Sequence, residues 1–351
     1  ESGVRPLGRA LSYLGPYWPL TLGCLVSLAL VSAANLVSPQ ILRVMIDRGI
    51  GAADQGTLIR AAALLVGIAA VRGVFSFAQG YWAERSSQSV AYDLRNALFG
   101  KIEELGFSYH DRAQTGQLMT RVTNDVEQVR TFLSTALVQM VGALALILGS
   151  LAALFSTNWQ LTLVVLPILP AIGVVVIMFA TRIRPLFGEV QAQLGALNTV
   201  LQENLAGVRL IQAFAREPYE AKRYRARNED LLQVNLQTIR AIANNFPLIF
   251  FLANLGTAAI LWFGGHEVIG GQLSLGELVA INTYLSLLVF PVLMLGMSVS
   301  QVSRSGVSAG RIFDVLDARI DIADRPGAVP LTSIAGRVAF DDVSFRYVGS
   351  E

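Results

Sequence analysis

The chain has 351 residues, of which 53% are hydrophobic and 15% charged, with a formal net charge of +2. That balance excludes an ordinary soluble domain, in which about a quarter of the residues are charged. The charge is too small, and the basic residues too seldom interleaved with aromatics, for a nucleic-acid-binding protein.

In chain order, residues 4–16 place Leu7, Leu11 and Leu14 on one side of a helix and Arg5 and Arg9 on the other. This is the pattern of a short segment lying along a membrane surface. Six apolar stretches follow, at 19–42, 58–83, 133–155, 159–180, 246–264 and 275–297. Each is about the 20 residues that cross a hydrocarbon core of ~30 Å as a helix. Lipid offers no partners to backbone groups, so a helix is the only form such a stretch can take there. The first is too long for a signal peptide and no small-residue cleavage site follows it. The single cysteine, Cys24, lies inside it and reads as a small apolar filler.

A few polar side chains interrupt the spans. Arg72 falls mid-span, where an ion must face water or a partner; it marks either a cavity or a pairing with a polar group on a neighbouring helix. Asn35, Gln139, Asn254, Asn282 and Ser286 either line a translocation path or act as hydrogen-bonding glue between helices.

With a cytosolic N-terminus, every Lys and Arg except Arg43, Arg48, Arg60 and Arg72 falls on the inner side. The positive-inside rule then predicts that both termini are cytoplasmic, in the plasma (inner) membrane. The outer connections, 43–57, 156–158 and 265–274, are short, whereas the inner ones are long. Residues 84–132 read as a polar stalk with helices at 93–105 and 118–132 joined by 106–117. Residues 181–245 form a second, longer hairpin. Its first arm carries Val190, Leu194, Leu197, Leu201, Leu205 and Val208 at the spacing of one helix face, and its second carries Leu232, Leu236, Ile239 and Ile242. Gly207 breaks the first arm, Pro218 suits the first turn of the second, and a short amphipathic piece, 208–216, sits at the tip. At 1.5 Å per residue such an arm reaches roughly 35 Å beyond the bilayer.

After the sixth span, 298–316 continues as a helix, 317–334 is a linker rich in Asp, Pro, Gly and Ala, and 336–347 alternates like a β-strand with Asp341 and Asp342 at a turn or bulge. Two apparent motifs carry no chemistry. Gly306 to Gly310 fits G-x-S-x-G but follows a membrane helix rather than a strand. His110 and His266 fall on opposite sides of the membrane and share no metal.

Four segments resemble one family. The run from Phe107 to Asp125, FSYHDRAQTGQLMTRVTND, is similar to the first intracellular loop of ABC exporters. Asn158 to Leu163, NWQLTL, looks like the start of their fourth span, and Glu203 to Glu217, ENLAGVRLIQAFARE, resembles their second intracellular loop. Gly336 to Tyr347, GRVAFDDVSFRY, is similar to the opening strand of their nucleotide-binding domain.

The resemblance implies an all-α membrane fold of six long helices that exchange partners across a dimer, followed by a short β stub. The implied domains are a transmembrane domain over 1–320, a linker over 321–335 and the beginning of a truncated nucleotide-binding domain over 336–351. It implies coupling to ATPase domains through Tyr109, His110 and Asp111 in the first loop and Leu210, Phe214 and Arg216 in the second. It implies adenine stacking on Tyr347, with ATP and Mg2+ bound by the full-length protein. The implied partners are a second transporter half, the lipid bilayer and a small amphipathic substrate such as a drug, lipid or peptide. No G-x-x-x-x-G-K-[ST] occurs in the chain, so hydrolysis is expected to need residues outside it. A motor-independent carrier or channel, and a membrane scaffold, are the competing readings. The carrier predicts inverted repeats and broken midplane helices, which the sequence does not display.

Overall fold

The computed structural model describes residues 4–320, 327–329 and 333–344. Helix α1, Val4–Ser12, leads through a single tight turn, Gly15–Tyr17, into α2, Trp18–Val44. A π-helical turn, Met45–Ile50, extends α2, and α3, Gln55–Glu104, starts after a four-residue link under an Asp54 cap. The outer connection expected over 43–57 is therefore almost wholly helical. The side chain of Asp54 accepts the first free N–H groups of α3, so no longer loop is needed to satisfy them.

The inner connection after α3 is also more helical than its Gly, Asp and Thr content suggests. The expected loop over 106–117 contains α4, Phe107–Arg112, and the start of α5, Thr115–Thr120. A π-turn, Arg121–Asp125, leads to α6, Val126–Thr131, and a second, Phe132–Ala136, leads to α7, Leu137–Thr157. Asn158 ends the third span and caps α8, Trp159–Val165, its Oδ1 accepting from Leu161 N at 2.9 Å. Helix α9, Ile168–Ala206, stops at Gly207; α10 is Val208–Ala213 and α11 is Glu217–Ala259 with Pro218 in its first turn. Both breaks fall where the glycine and proline put them. A π-turn, Ile260–Gly264, and α12, Gly265–Ile269, shorten the last outer loop, and α13, Leu275–Leu316, completes the set.

Six continuous helical segments are long and apolar enough to cross a membrane: Gly15–Ile50, Gln55–Glu104, Thr115–Thr157, Trp159–Ala206, Glu217–Ile269 and Leu275–Leu316. The protein is an all-α, multi-pass membrane protein. The strand expected over 336–347 is not formed among the described residues of that stretch, 336–344. A β-segment needs a ladder partner, and the described chain offers none. Tyr347 lies outside the described residues.

The chain divides into two compact units. The first comprises Glu1–Cys24, Gly80–Leu137 and Ser300–Glu351. Its core joins Leu7 and Ala10 of α1 to Val90, Leu94 and Leu98 of α3, to Val126 and Val129 of α6, and to Ile312, Phe313 and Val315 of α13. The apolar side of α1 is thus spent on protein rather than on lipid. Asp125, 2% exposed, accepts two hydrogen bonds from Arg311, at 2.6 and 2.9 Å, tying the loop end of the third span to α13. Arg130 reaches both Glu84 and Glu127.

The second unit comprises Leu25–Gln79 and Val138–Val299. One cluster in it gathers Leu154, Leu161, Val165, Ile260, Leu278, Ile281, Tyr284 and Leu288; another gathers Ile172, Val176, Ile249 and Leu293. Glycines permit the closest helix approaches. A Cβ on Gly264 would come within 2.5 Å of Leu278, and one on Gly296 would overlap Val176.

The long hairpin belongs to this unit. Helices α9 and α11, with 39 and 43 residues, run against each other over lengths of roughly 60 Å. Their seam uses Leu197, Val200, Val234 and Thr238, and Arg223 bridges to Glu203 at 2.6 Å. The expected apolar face is only partly the packed one. Leu194, Leu201, Leu205, Leu232, Leu236 and Ile239 stay exposed, because two antiparallel helices bury a narrow seam and leave the flanks of a wide apolar stripe open.

Candidate translocation path and coupling elements

An amide of the first span and the arginine in the middle of the second meet. Arg72 of α3 donates from Nη1 to Asn35 Oδ1 of α2 at 3.0 Å. No carboxylate pairs with Arg72 among the described residues. The six apolar stretches contain one acidic residue, Glu277, and its Oε1 is bound by Arg43 at 2.6 Å. The Arg72 guanidinium therefore donates to one amide and has no counter-charge within reach among the described residues. Of the two outcomes left open for Arg72, a cavity or a pairing with a polar group on a neighbouring helix, the pairing is present.

The remaining polar candidates do not tie helices together. Asn254 donates to Phe250 O at 2.8 Å and Ser286 to Asn282 O at 3.0 Å, both one turn back on their own helices. Such back-bonding satisfies a donor without committing the side chain to a neighbour. Asn282 leaves its Oδ1 buried without a hydrogen-bond partner, and Gln139 is exposed on α7. Asn282 and Ser286 share a face of α13 one turn apart; nothing brings Gln139 or Asn254 to them.

The other polar groups that join spans were not singled out by sequence reasoning. Asp47 accepts from Ser274 Oγ at 2.6 Å and from Gly276 N at 2.7 Å, clasping the start of α13 to the C-terminal end of the first span. Ser274 and Glu277 form a reciprocal capping box: Glu277 N donates to Ser274 Oγ at 3.0 Å and Ser274 N to Glu277 Oε2 at 2.8 Å. Below it, the Tyr284 hydroxyl, 1% exposed as a residue, donates to Leu36 O at 2.6 Å. On the same side Asn158 Nδ2 donates to Glu267 Oε2 at 2.6 Å. The S-x-x-E pattern ahead of an apolar run was a readable signal for the box. Nothing local in sequence announces its partner Asp47, more than two hundred residues earlier.

The residues expected to couple divide by exposure. In the second loop Leu210, inside α10, is 64% and Phe214, just beyond its end, 70% exposed. The chain leaves α10 in a Schellman turn: Arg216 N donates to Ile211 O at 2.9 Å and Ala215 N to Gln212 O at 3.2 Å. The residue at the left-handed position is Ala215, with φ of 51°, where glycine ordinarily stands. Arg216 then caps α11 and its guanidinium lies over Tyr219, 5.9 Å from the ring centroid. In the first loop Tyr109 is anchored instead. It packs on the first unit's core and its hydroxyl accepts from Arg121 at 3.3 Å. His110 Nε2 lies 3.1 Å from Ile102 O, and the two rings meet edge to face. The backbone of Asp111 lies in α4; its side chain is outside the description. Among the described residues no cluster of three or more His, Cys, Asp or Glu is arranged to hold a metal.

Comparison with known proteins bears on what this arrangement serves. Residues 21–292 match the family described as the ABC transporter transmembrane region. The chain is 32% identical, over 97% of its length, to the uncharacterized ABC transporter ATP-binding protein YknU of Bacillus subtilis, of which it covers 58%. It is 31% identical over 97% of its length to the ATP-dependent lipid A-core flippase of Cupriavidus metallidurans, covering 57% of that protein. The corresponding flippase of Syntrophus aciditrophicus is 30% identical over 95% of this chain and 55% of its own length. The chain thus spans little more than half of each of these relatives.

Proposed function

Because the chain belongs to the ABC transporter transmembrane-region family, we propose that it is the membrane-crossing part of an ATP-driven exporter, moved by ATPase domains elsewhere in the full-length protein. The observation that carries this is the hairpin of α9 and α11. It is a pair of long, mutually packed helices ending in a capped turn that presents Leu210 and Phe214 to the outside. A rigid rod of that length converts a small rotation at its tip into a displacement of several ångströms at its far end. In this reading Leu210 and Phe214 are apolar knobs seated in a motor domain, with Arg216 at the rim. Tyr109, His110 and Asp111 form the first loop's contact. The motor domains bind ATP and Mg2+, Tyr347 stacks on adenine, and the linker and the residues after 335 lead into that domain. A second transporter half completes the path, and both termini face the cytoplasm.

The substrate we propose is an anionic amphiphile, handled by alternating access. Arg72 is the reason. With the one acidic residue of the spans already paired to Arg43, a second copy of this chain brings no counter-charge to it, and an intramembrane cation calls for an anion. A lipid with an acidic headgroup fits, and relatives named lipid A-core flippases are in keeping with it.

The test is Phe214→Asp in the full-length protein. Burying a carboxylate in an apolar seat is expected to separate ATP turnover from transport while ATP binding persists. Unchanged transport and unchanged substrate-stimulated turnover would remove the tip of the hairpin from the mechanism.

A further inference from the structure

A groove of about 600 Å³ runs between Ala34 of α2 and the face of α3 that carries Arg60, Ala63, Gly67, Ile68 and Val71. It lies wholly within the second unit, and its lining residues Ala34 and Val71 are the chain neighbours of the Asn35–Arg72 pair. Three features describe its occupant. First, its lining sets the small Ala34, Ala63 and Gly67 among the larger Leu64, Ile68 and Val71. A Cβ built on Gly67 meets nothing within 4 Å, so the slot is open at its middle. Second, from Arg60 to Val71 the helix rises roughly 16 Å, about half of a ~30 Å hydrocarbon core, which is the depth of one leaflet. Third, the only charged side chain lining it is at the outer mouth. Arg60 is held there by its own first turns, Nε donating to Gly56 O at 3.1 Å and Nη2 to Thr57 Oγ1 at 3.2 Å. Two of the nitrogens of a five-donor fork are used, and Nη1 takes part in none of these bonds.

The neighbouring anion does not fill that place. Asp54 is committed to the start of α3, accepting from Gly56 N, Thr57 N and Thr57 Oγ1. Those bonds, foremost the one from the Thr57 hydroxyl, hold its carboxyl below the usual range, with Arg60 adding a smaller pull. Arg60 itself makes no ion pair within hydrogen-bonding reach among the described residues.

We propose that this groove is a binding site for an outer-leaflet glycerophospholipid, with the lipid phosphate on Arg60 and one acyl chain lying in the slot down to Val71. An apolar trough of leaflet depth, with one cation at the level of the headgroups, complements a molecule that is a chain below and a phosphate above. A free phosphate matches only the mouth, and a second copy of this chain brings no acidic residue from within its spans other than Glu277, which Arg43 holds. The choice of leaflet rests on the orientation proposed above, with both termini cytoplasmic; binding at the site itself needs no ATP.

The test uses the full-length protein in phosphatidylcholine vesicles containing phosphatidylglycerol with a photoactivatable group at the end of one acyl chain. Light is expected to label the deep part of the groove, residues 67–72. Arg60→Gln is expected to reduce that labelling about tenfold, the loss of a charge-assisted hydrogen bond, and Arg60→Lys to keep most of it. Gly67→Leu fills the slot and is expected to abolish labelling without touching the charge. A diacylglycerol with the same chain probe is expected to label weakly, and inorganic phosphate is expected not to compete. Labelling that ignores both Arg60→Gln and Gly67→Leu overturns the site, as does equal labelling by the diacylglycerol. Competition by inorganic phosphate alone, or cross-linking of Ala63→Cys between two copies with loss of lipid labelling, overturns it in favour of a free anion or an interface. None of these readouts depends on transport, so failure here and failure of the exporter reading are distinguishable.

Discussion

Asp47 accepts a hydrogen bond from the backbone of Gly276 at 2.7 Å, although the two residues lie at opposite ends of the membrane-crossing sequence. The contact is possible only because residue 276 has no side chain. A Cβ there would stand 2.5 Å from Arg43 O and 2.7 Å from the Asp47 carboxyl. A backbone carbonyl cannot swing away as a side chain can. Gly276→Ala is therefore expected to push α13 off α2 and to cost about 1–3 kcal/mol, with Ser274→Ala costing about 1 through loss of the cap. Thermal unfolding of the purified full-length protein checks both. A Gly276→Ala midpoint equal to wild type would mean that the outer ends of these helices are not tightly clasped.

Removing Arg311 tests a different kind of join. The Asp125 side chain is 3% exposed while that of Arg311 is 49% exposed, so only the carboxylate depends on its partner to stay charged out of water. Arg311→Ala is expected to cost roughly 2 kcal/mol, less than the ~3–5 of a fully buried pair because the arginine is half solvated. Arg311→Ala with Asp125→Asn should recover part of that loss. A double variant no better than the single one would show that the cost is lost packing of the arginine stem rather than a stranded charge.

The turn at the tip of the long hairpin stores strain. Ala215 adopts φ of 51°, which costs an L-residue roughly 1–2 kcal/mol and glycine almost nothing. Ala215→Gly is expected to raise the unfolding midpoint if the hairpin unfolds with the rest of the domain, and in any case to increase amide-exchange protection of residues 211–216. Ala215→Val, β-branched at a left-handed position, is expected to lower both. Equal protection in all three proteins would place the turn in another conformation in solution.

The first helix is tied to the end of the last by an ion pair whose pH dependence has a definite sign. Arg9 donates to both oxygens of Asp317 and lies 4.3 Å over the Phe313 ring. The hydrogen bond from the guanidinium, opposed by partial desolvation, holds the Asp317 carboxyl below its ordinary range. A depressed carboxyl contributes stability that is fully present above about pH 4, the unfolded value, and is lost as pH falls through the lower folded value. The midpoint difference between wild type and Asp317→Asn is therefore expected to be constant from neutral pH down to about 4 and to shrink below it. Both side chains are about half exposed, so the difference should also decline with added salt. A difference that grows on acidification would contradict the assignment.

Most of the helical layout was legible because it rests on local rules. Six runs of apolar residues can only be helices in lipid, and Gly207 and Pro218 mark the hairpin tip by backbone chemistry. The candidate path was legible only as a set of residue types. Arg72 and Asn35 read as separate intramembrane polar groups, and their meeting at 3.0 Å depends on how α2 and α3 rotate against each other. Asn254 and Ser286 looked equally eligible, yet each turned back to its own helix.

What the amino-acid order determined by itself, then, was much of what is set within a few residues: which long apolar stretches are helical and where the hairpin tip breaks. Tertiary structure alone decided the partnerships made across tens to hundreds of residues, among them Asp47 with Gly276, Asp125 with Arg311 and Tyr284 with Leu36. It also decided which apolar stripes are buried, leaving Leu201 and Ile239 open beside a packed Val200 and Val234. The physical reason is that helix periodicity says which residues share a face, whereas the facing neighbour is chosen by packing, and packing is a property of the whole fold.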